Sequence, residues 1–232
     1  MIILSHRGYW KTVEEKNTPE AFARSFELGF GTETDVRDCA GELVISHDPP
    51  RQNALSCADF FDLYRKFSGK LPLALNIKAD GLQSLLSAQL ERSGITDYFM
   101  FDMSVPDAWV CVQQGLRVFT RQSEFEREPS LYAESAGVWV DCFFSDWVDE
   151  RTIEMHLNAR KQVCLVSPDL HRREHESFWK KLGNMAACES SDLMICTDYP
   201  EQARKFFAGY ANQRGSTTFV GQVSNESGEA KL

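Results

Sequence analysis

The sequence lacks long apolar runs and has no excess of positive charge. Its 232 residues include 34 Asp and Glu against 25 Lys and Arg, which gives a formal net charge of −9. Nucleic acids and anionic membranes bind proteins through basic fields, so we expect no nucleic-acid partner. No apolar run approaches the roughly 20 residues that cross a bilayer as a helix, and we expect no stable membrane insertion.

The seven cysteines are odd in number and include no CxxC pair. A disulfide framework and a structural zinc site are therefore both disfavoured. Cys164 and Cys196 stand inside apolar runs, where a reduced cysteine behaves as a small hydrophobic residue. Residues 1–4 run directly into the polar segment 5–8, which leaves no room for the apolar part of a signal peptide. These features predict a cytoplasmic location.

Short β-rich segments alternate with segments of helical periodicity, which is the pattern of a parallel α/β sheet. A further segment, 43–47, follows the break at Gly41 and predicts a hairpin arm on the second strand. The number of strand–helix pairs and the absence of a glycine-rich nucleotide loop favour a (β/α)8 TIM barrel over an open doubly wound sheet. The eight predicted strands are 2–5, 32–37, 73–77, 98–101, 116–120, 137–141, 162–167 and 193–196.

Helix boundaries and chain length agree with this architecture. Thr18 followed by Pro19 predicts a helix start, and Gly29 predicts its end. The 232 residues are close to the roughly 250 that a closed α/β barrel needs, so we expect one barrel domain over residues 1–210. The polar composition of residues 211–232 predicts a C-terminal tail or surface strap.

Polar residues stand at the ends of several predicted strands, where barrel enzymes place their active sites. The first strand ends in His6 and Arg7. Glu33 and Asp35 are two residues apart on the second strand, so both point to the same side. Two neighbouring carboxylates need a cation, and oxygen ligands suit Mg²⁺ or Ca²⁺. The hairpin arm adds a second imidazole, His47.

Other strands add polar groups at the same edge. Asn76 and Lys78 share one face of the third strand. With two imidazoles, a cation and basic side chains, one histidine can take a proton while the other gives one, which is the chemistry of phosphoryl transfer. Arg121 and Asp141 end the fifth and sixth strands, where substrate contacts belong. Segment 171–175 matches the HxxEH protease pattern, but it falls in a predicted loop and we reject that interpretation.

Five sequence motifs connect these residues to a known family. In them the chain resembles the glycerophosphodiester phosphodiesterases, strongly over roughly the first 50 residues and afterwards in strand order. The resemblance implies a metal-dependent phosphodiesterase that acts on a small anionic phosphodiester of glycerol or sugar type. The motifs are HRG at 6–8, NTPEAF at 17–22, ETDVR at 33–37, GELVISHD at 41–48 and TDYP at 197–200.

The resemblance also implies a reaction and a set of roles. In that family a neighbouring hydroxyl of the substrate attacks phosphorus, a cyclic phosphate forms, and water then opens it. By position, the acid–base pair is His6 and His47, the metal ligands are Glu33 and Asp35, and the phosphate-binding residues are Arg7 and Lys78.

Asn76 departs from the family pattern, because a glutamate that binds the metal usually stands there. Its amide carbonyl is still a possible third ligand, and we expect weaker metal binding. Two alternative functions stay open: a phosphate-binding barrel that has lost turnover, and a lyase that stops at the cyclic phosphate. The sequence carries no signal for the released alcohol or the oligomeric state.

Overall fold

The computed structural model describes residues 1–50, 53–67 and 71–218, with the side chains of 211–218 left out. In this part of the chain, ten strands and seven α-helices follow one another, mostly in alternation. The strands are β1 (Ile2–His6), β2 (Gly31–Cys39), β3 (Glu42–Ile45), β4 (Leu55–Ser56), β5 (Leu73–Ile77), β6 (Tyr98–Phe101), β7 (Phe119–Gln122), β8 (Gly137–Val140), β9 (Gln162–Val166) and β10 (Leu193–Thr197). The helices are α1 (Pro19–Glu27), α2 (Cys57–Arg65), α3 (Gln83–Ser93), α4 (Val105–Gln113), α5 (Glu150–Asn158), α6 (Glu176–Gly183) and α7 (Pro200–Thr218).

Eight of the strands run parallel, in the spatial order β6-β5-β2-β1-β10-β9-β8-β7. The predicted α/β class with a mostly parallel sheet is confirmed. Strand β3 pairs antiparallel with β2, and β4 pairs antiparallel with β3, at the side of this row. The two ends of the row meet at a single parallel bridge between Met100 and Val118, where the Met100 N–H donates to the Arg117 carbonyl at 2.8 Å.

One predicted strand is displaced. The expected segment 116–120 is replaced by β7 (Phe119–Gln122), because the Leu116 N–H donates to the Cys111 carbonyl at 3.0 Å and so belongs to the end of α4. Leu116 is buried in the core between the helices and the sheet, so its apolar side chain reflects burial in that core and does not indicate a strand. The shift places Arg121 within the strand rather than after it.

The predicted helix start at Thr18 is confirmed, and α2 begins with a cap of the same kind. The Thr18 hydroxyl accepts a hydrogen bond from the Ala21 N–H, and Pro19 is the first residue of α1. The Ser56 hydroxyl accepts from the Asp59 N–H at 3.0 Å at the start of α2. Such caps satisfy N–H groups that have no partner within the helix, which contributes about 1 kcal/mol each.

The face of the parallel strands turned away from the helices carries its own apolar cluster. Phe99 stacks on Phe119 with ring centroids 3.8 Å apart, and Phe101 stacks on Trp139 at 3.9 Å. Because side chains alternate along a strand, the residues two positions further on continue this inner face toward the carboxyl-terminal edge. The buried members of the inner cluster are Leu4, Ala74, Phe99, Phe101, Phe119, Trp139, Cys164, Val166, Met194 and Cys196.

The last helix passes the predicted domain boundary at residue 210 and continues to Thr218. Residues 219–232 of the predicted tail lie outside the described residues. In the part of the chain that is described, no helix is both long and apolar enough to span a membrane.

Candidate active site

His6 is the last residue of β1 and is held by a carboxylate from the other end of the chain. Its Nδ1 donates to Asp198 Oδ1 at 2.7 Å, while its Nε2 lies 4.0 Å from Glu33 Oε2. Burial opposes ionisation of Asp198, yet the hydrogen bond from His6 and the charge of Lys16, 3.7 Å away, lower the pKa of this carboxyl. Asp198 therefore stays anionic and orients the ring so that Nε2 is available for proton transfer.

Two acids of β2 stand next to His6, with Glu33 2 % exposed and Asp35 fully buried. The Arg7 N–H donates to Glu33 Oε2 at 3.0 Å. Burial and the neighbouring charge of Asp35 raise the pKa of Glu33 to about 7, although His6, Arg7 and Lys78 pull in the opposite direction. The nearby positive charges therefore offset only part of the repulsion between the two acids and of the cost of burying them.

Asp35 is surrounded by donors. Asn17 Nδ2 donates to Asp35 Oδ2 at 2.9 Å, and Arg7 Nε makes an ion contact with the same oxygen at 2.9 Å. Lys78 Nζ lies 3.5 Å from Asp35 Oδ1, an oxygen that is buried and accepts no hydrogen bond. Asn76 is the register partner of Asp35 on β5, and its Oδ1 is likewise buried without a hydrogen-bond partner. Two unsatisfied oxygens on adjacent strands are the kind of arrangement that a bound cation satisfies.

The side chains of the site offer oxygen atoms to a divalent cation. In the described ranges, no group of three or more His, Cys, Asp or Glu residues could hold a metal ion. Glu33 and Asp35 supply two carboxylates, and Asn76 supplies a carbonyl oxygen. This all-oxygen set fits Mg²⁺ or Ca²⁺, which take further ligands from water and phosphate, but it is one carboxylate poorer than a three-acid site.

The HRG motif bends the chain over this acid pair. Arg7 has φ of 59°, and Gly8 has φ of 79°. A Cβ on Gly8 would approach the α1 residue Ala21 to 2.9 Å, so glycine is required both by the turn and by the contact. The left-handed turn at Arg7 directs both its backbone N–H and its guanidinium to the acids of β2.

Lys78 and Arg121 both contact the carboxylate of Asp102, which follows β6. Lys78 Nζ lies 3.6 Å from Asp102 Oδ2, and Arg121 NH1 donates to Asp102 Oδ1 at 2.6 Å. The Arg121 Nε also pairs with Glu126. Arg121 is therefore bound by two carboxylates already, whereas Lys78 bridges Asp35 and Asp102.

His47 lies at the rim, in the turn after β3, with 45 % of its side chain exposed. Its Nδ1 donates to Asp48 Oδ1 at 2.8 Å. This hydrogen bond lowers the pKa of Asp48, and the charges of Arg7 and Arg37 add to the effect. Arg37 Nε also donates to the His47 carbonyl at 2.9 Å. No contact joins His47 to His6 in the described residues.

The structure brings most of the predicted residues into one group, which we call the β1–β5 cluster. Sequence reasoning missed two members, Asn17 and Asp198. Both lie in motifs noted above, NTPEAF and TDYP, in which the sequence pattern assigns no role to Asn17 or Asp198. The cluster consists of His6, Arg7, Asn17, Glu33, Asp35, Asn76, Lys78 and Asp198.

Similarity to known proteins is found at the level of structure. No protein-family model matches the chain, and no curated protein matches its sequence. A glycerophosphodiester phosphodiesterase from Agrobacterium tumefaciens superposes with a TM-score of 0.67 at 15% identity, over 91% of this chain and 99% of that one. The chain shares its fold with glycerophosphodiester phosphodiesterases.

Two further solved structures extend the comparison. An Oleispira antarctica phosphodiesterase, in complex with the product sn-glycerol-3-phosphate, matches with a TM-score of 0.64 at 14% identity, over 90% of this chain and 97% of that one. A Ca²⁺-dependent phosphatidylinositol-specific phospholipase C from Streptomyces antibioticus matches with a TM-score of 0.55 at 11% identity, over 89% and 95%. At such identities the likeness concerns the fold, and the chemistry depends on the side chains.

Proposed function

We propose that this chain is a closed (β/α)8 barrel and a phosphoric diester hydrolase that acts on a small glycerol-type or sugar-type phosphodiester. The Met100–Val118 bridge supports closure, because it joins the two ends of the row of parallel strands. In such a barrel the carboxyl ends of the strands form the mouth, where active sites lie. The β1–β5 cluster stands at this mouth.

The observation that carries the proposal is the His6–Asp198 pair beside a buried acid pair and two cations. A carboxylate that holds Nδ1 of an imidazole leaves Nε2 as a proton acceptor at neutral pH. The His6 Nε2 accepts a proton from the attacking oxygen, which is a substrate hydroxyl or water. Arg7 and Lys78 hold the anionic phosphate and balance the charge that develops on it.

A second imidazole returns a proton to the leaving oxygen. The family resemblance assigns this role to His47, which reaches the mouth from the rim beside Arg7. Arg121 makes an auxiliary contact with the substrate, because Asp102 and Glu126 already share its charge.

A divalent ion, Mg²⁺ or Ca²⁺, would be held by Glu33, Asp35 and Asn76. The raised pKa of Glu33 and the unsatisfied oxygens of Asp35 and Asn76 support this site. When bound, the ion supplies Lewis-acid polarisation of a phosphate oxygen. With Asn76 in place of a third acid, binding is weaker than at a three-carboxylate site.

One alternative has a specific observation behind it: the neutral Asn76 favours a barrel that binds a phosphate ligand without turnover. The other alternative is a lyase, in which a substrate hydroxyl attacks and the cyclic phosphate is released without being opened by water. We also propose a cytoplasmic location, which agrees with cysteines that are buried and form no disulfide in the described residues: Cys57, Cys111, Cys142, Cys164 and Cys196. The absence of a nucleic-acid partner stays a prediction.

The direct test is release of an alcohol from glycerophosphodiesters, followed by phosphorus NMR of the product. We expect activity with Mg²⁺ or Ca²⁺ that is lost with a chelator and restored by the metal. A cyclic product would identify the lyase. If the wild-type protein is inactive and Asn76→Glu creates activity, the binding barrel is the correct function. Activity that survives both the chelator and His6→Gln would contradict the proposed chemistry.

A further inference from the structure

Asp102 stands between two cations of the mouth, although the sequence pattern assigns it no role. It directly follows β6, and its two carboxylate oxygens are divided between the neighbouring strands. Lys78, which follows β5, places its Nζ 3.6 Å from Asp102 Oδ2, and Arg121 of β7 donates to Asp102 Oδ1 at 2.6 Å. The side chain of Asp102 is 22 % exposed. A single, mostly buried carboxylate therefore joins both cations.

The backbone of Asp102 is left-handed, with φ of 71°. Phe99 and Phe101 belong to the inner cluster, whereas Met100 packs in the core between the sheet and the helices. Strict alternation along β6 would turn residue 102 toward the helices as well. The left-handed conformation breaks this alternation and turns the carboxylate to the cations at the mouth. Glycine adopts such a backbone without steric cost, so an aspartate in its place indicates that the side chain has a role.

The segment after Asp102 fixes this turn. The Ser104 hydroxyl accepts a hydrogen bond from the Asp107 N–H at 3.4 Å at the start of α4. The same hydroxyl donates to Asp80 Oδ2 at 3.0 Å, which ties the loop after β6 to the loop after β5. Asp102 is thus held between the end of a strand and a capped helix, and its carboxylate has a defined position relative to Lys78.

Lys78 is shared by two carboxylates at nearly equal distances. Its Nζ lies 3.5 Å from Asp35 Oδ1 and 3.6 Å from Asp102 Oδ2. A lysine has a flexible four-carbon stem, so the ammonium moves toward whichever anion remains when one is removed. Without the charge of Asp102, Lys78 would move onto Asp35 Oδ1, a buried oxygen that accepts no hydrogen bond. Asp102 therefore determines where the positive charge of Lys78 lies.

We propose that Asp102 is a positioning residue, which holds Lys78 away from Asp35 so that the ammonium can bind the phosphate. This inference rests on the proposed function, in which Lys78 binds the phosphate. Arg121 does not depend on Asp102 in the same way, because its Nε also pairs with Glu126. The effect of Asp102 on the phosphate therefore passes through Lys78.

The test measures the Kd for sn-glycerol 3-phosphate by calorimetry and the KM for its methyl diester. Asp102→Asn removes the charge but keeps the size of the side chain and tolerates the left-handed backbone. We expect both constants to rise about three- to tenfold. In a Lys78→Met background the same substitution should have no further effect, whereas in an Arg121→Met background its effect should persist. Unchanged or lower constants in Asp102→Asn, or an equal effect with and without Lys78, would overturn the role of Asp102.

Two further variants separate the charge from the fold. Asp80→Asn is the matched control, because Asp80 lies at the same edge but its carboxylate contacts the Ser104 hydroxyl; both constants should equal those of the wild type. Asp102→Gly relaxes the backbone, so its Tm should be at least that of Asp102→Asn, while its constants rise to the same extent. Wild-type constants in Asp102→Gly would show that the carboxylate positions nothing.

The two measurements also distinguish this inference from the proposed function. If the wild type binds sn-glycerol 3-phosphate but cleaves no diester, the proposed hydrolysis is wrong, and the Kd values alone decide the role of Asp102. If the wild type neither binds the phosphate ester nor cleaves a diester, both proposals are wrong.

Discussion

The two clusters at the mouth differ in how their charges are balanced. In the β1–β5 cluster, Glu33 and Asp35 are buried side by side, and the pKa of Glu33 rises to about 7. At the ends of β7, β8 and β9 lies a second group, which we call the β7–β9 cluster: Asp141 pairs with His171, and Arg121 pairs with Asp102 and Glu126. In the first cluster the buried acids are not fully neutralised and favour a further cation, whereas each charged side chain of the second cluster already has an oppositely charged partner. The comparison suggests that metal and phosphate belong to the first cluster.

The largest expected effect comes from His6, because it acts on the attacking oxygen, which is common to all substrates. His6→Gln should lower kcat about 10²- to 10⁴-fold on two diesters of glycerol 3-phosphate alike, one with an aliphatic alcohol and one with p-nitrophenol. Steady-state rates on both esters measure this. A loss confined to the aliphatic ester would place His6 on the leaving group and remove the contrast between the clusters.

A substitution at Asn76 tests whether the first cluster binds the metal ion. Asn76→Glu adds a third carboxylate to the β1–β5 cluster, so the Mg²⁺ or Ca²⁺ concentration for half-maximal activity should fall about tenfold or more. A metal titration of the rate measures it, with Asn76→Gln as the control that keeps a neutral amide. An unchanged half-maximal concentration in Asn76→Glu would show that residue 76 does not face the ion.

The raised pKa of Glu33 predicts a pH dependence of stability in the protein stripped of divalent ions. At pH values between 4.5, the ordinary pKa of a glutamate, and about 7, Glu33 keeps its proton in the folded state and loses it in the unfolded state. Its contribution to the free energy of unfolding is therefore full below pH 4.5 and is lost as the pH rises toward 7. Glu33→Gln should remove this loss and gain on the order of 1 to 3 kcal/mol near pH 8 relative to the wild type.

Urea denaturation of the wild type and Glu33→Gln at several pH values checks this prediction. The corresponding variant of an exposed acid, Glu27→Gln on α1, is the control and should follow the wild-type profile. Identical profiles for Glu33→Gln and the wild type would mean that Glu33 titrates normally, and that the first cluster is no less balanced than the second.

The smallest effect is expected at Arg121. Its guanidinium is shared between Asp102 and Glu126, so Arg121→Ala should raise KM by no more than about threefold. Lys78→Ala should raise KM more, because Lys78 lies 3.5 Å from Asp35 in the β1–β5 cluster, where the phosphate is proposed to bind. Measured KM values for one ester decide between them. A larger effect at Arg121 would move phosphate binding to the β7–β9 cluster.

Sequence reasoning anticipated the β1–β5 cluster better than the β7–β9 cluster. Glu33 and Asp35 were predicted to share a face because spacing along a strand determines side-chain direction. Asp198 was missed, since its contact with His6 joins residues 192 positions apart. His171 was noticed only as part of a protease-like pattern that was rejected, and its link to Asp141 crosses between the loops after β8 and β9.

Local sequence determined most of the parallel strands, the helix starts at Thr18 and Ser56, and the pair of acids on one face of β2. These features depend on side-chain alternation, capping and turn chemistry, which act over a few residues. The tertiary structure alone decided that Asp198 holds His6, that Asn17 binds Asp35 and that Asp141 orients His171. Each of these contacts depends on which strand ends become neighbours when the sheet assembles. The raised pKa of Glu33 likewise depends on its burial in the folded chain. Neither can be read from the order of residues along one segment.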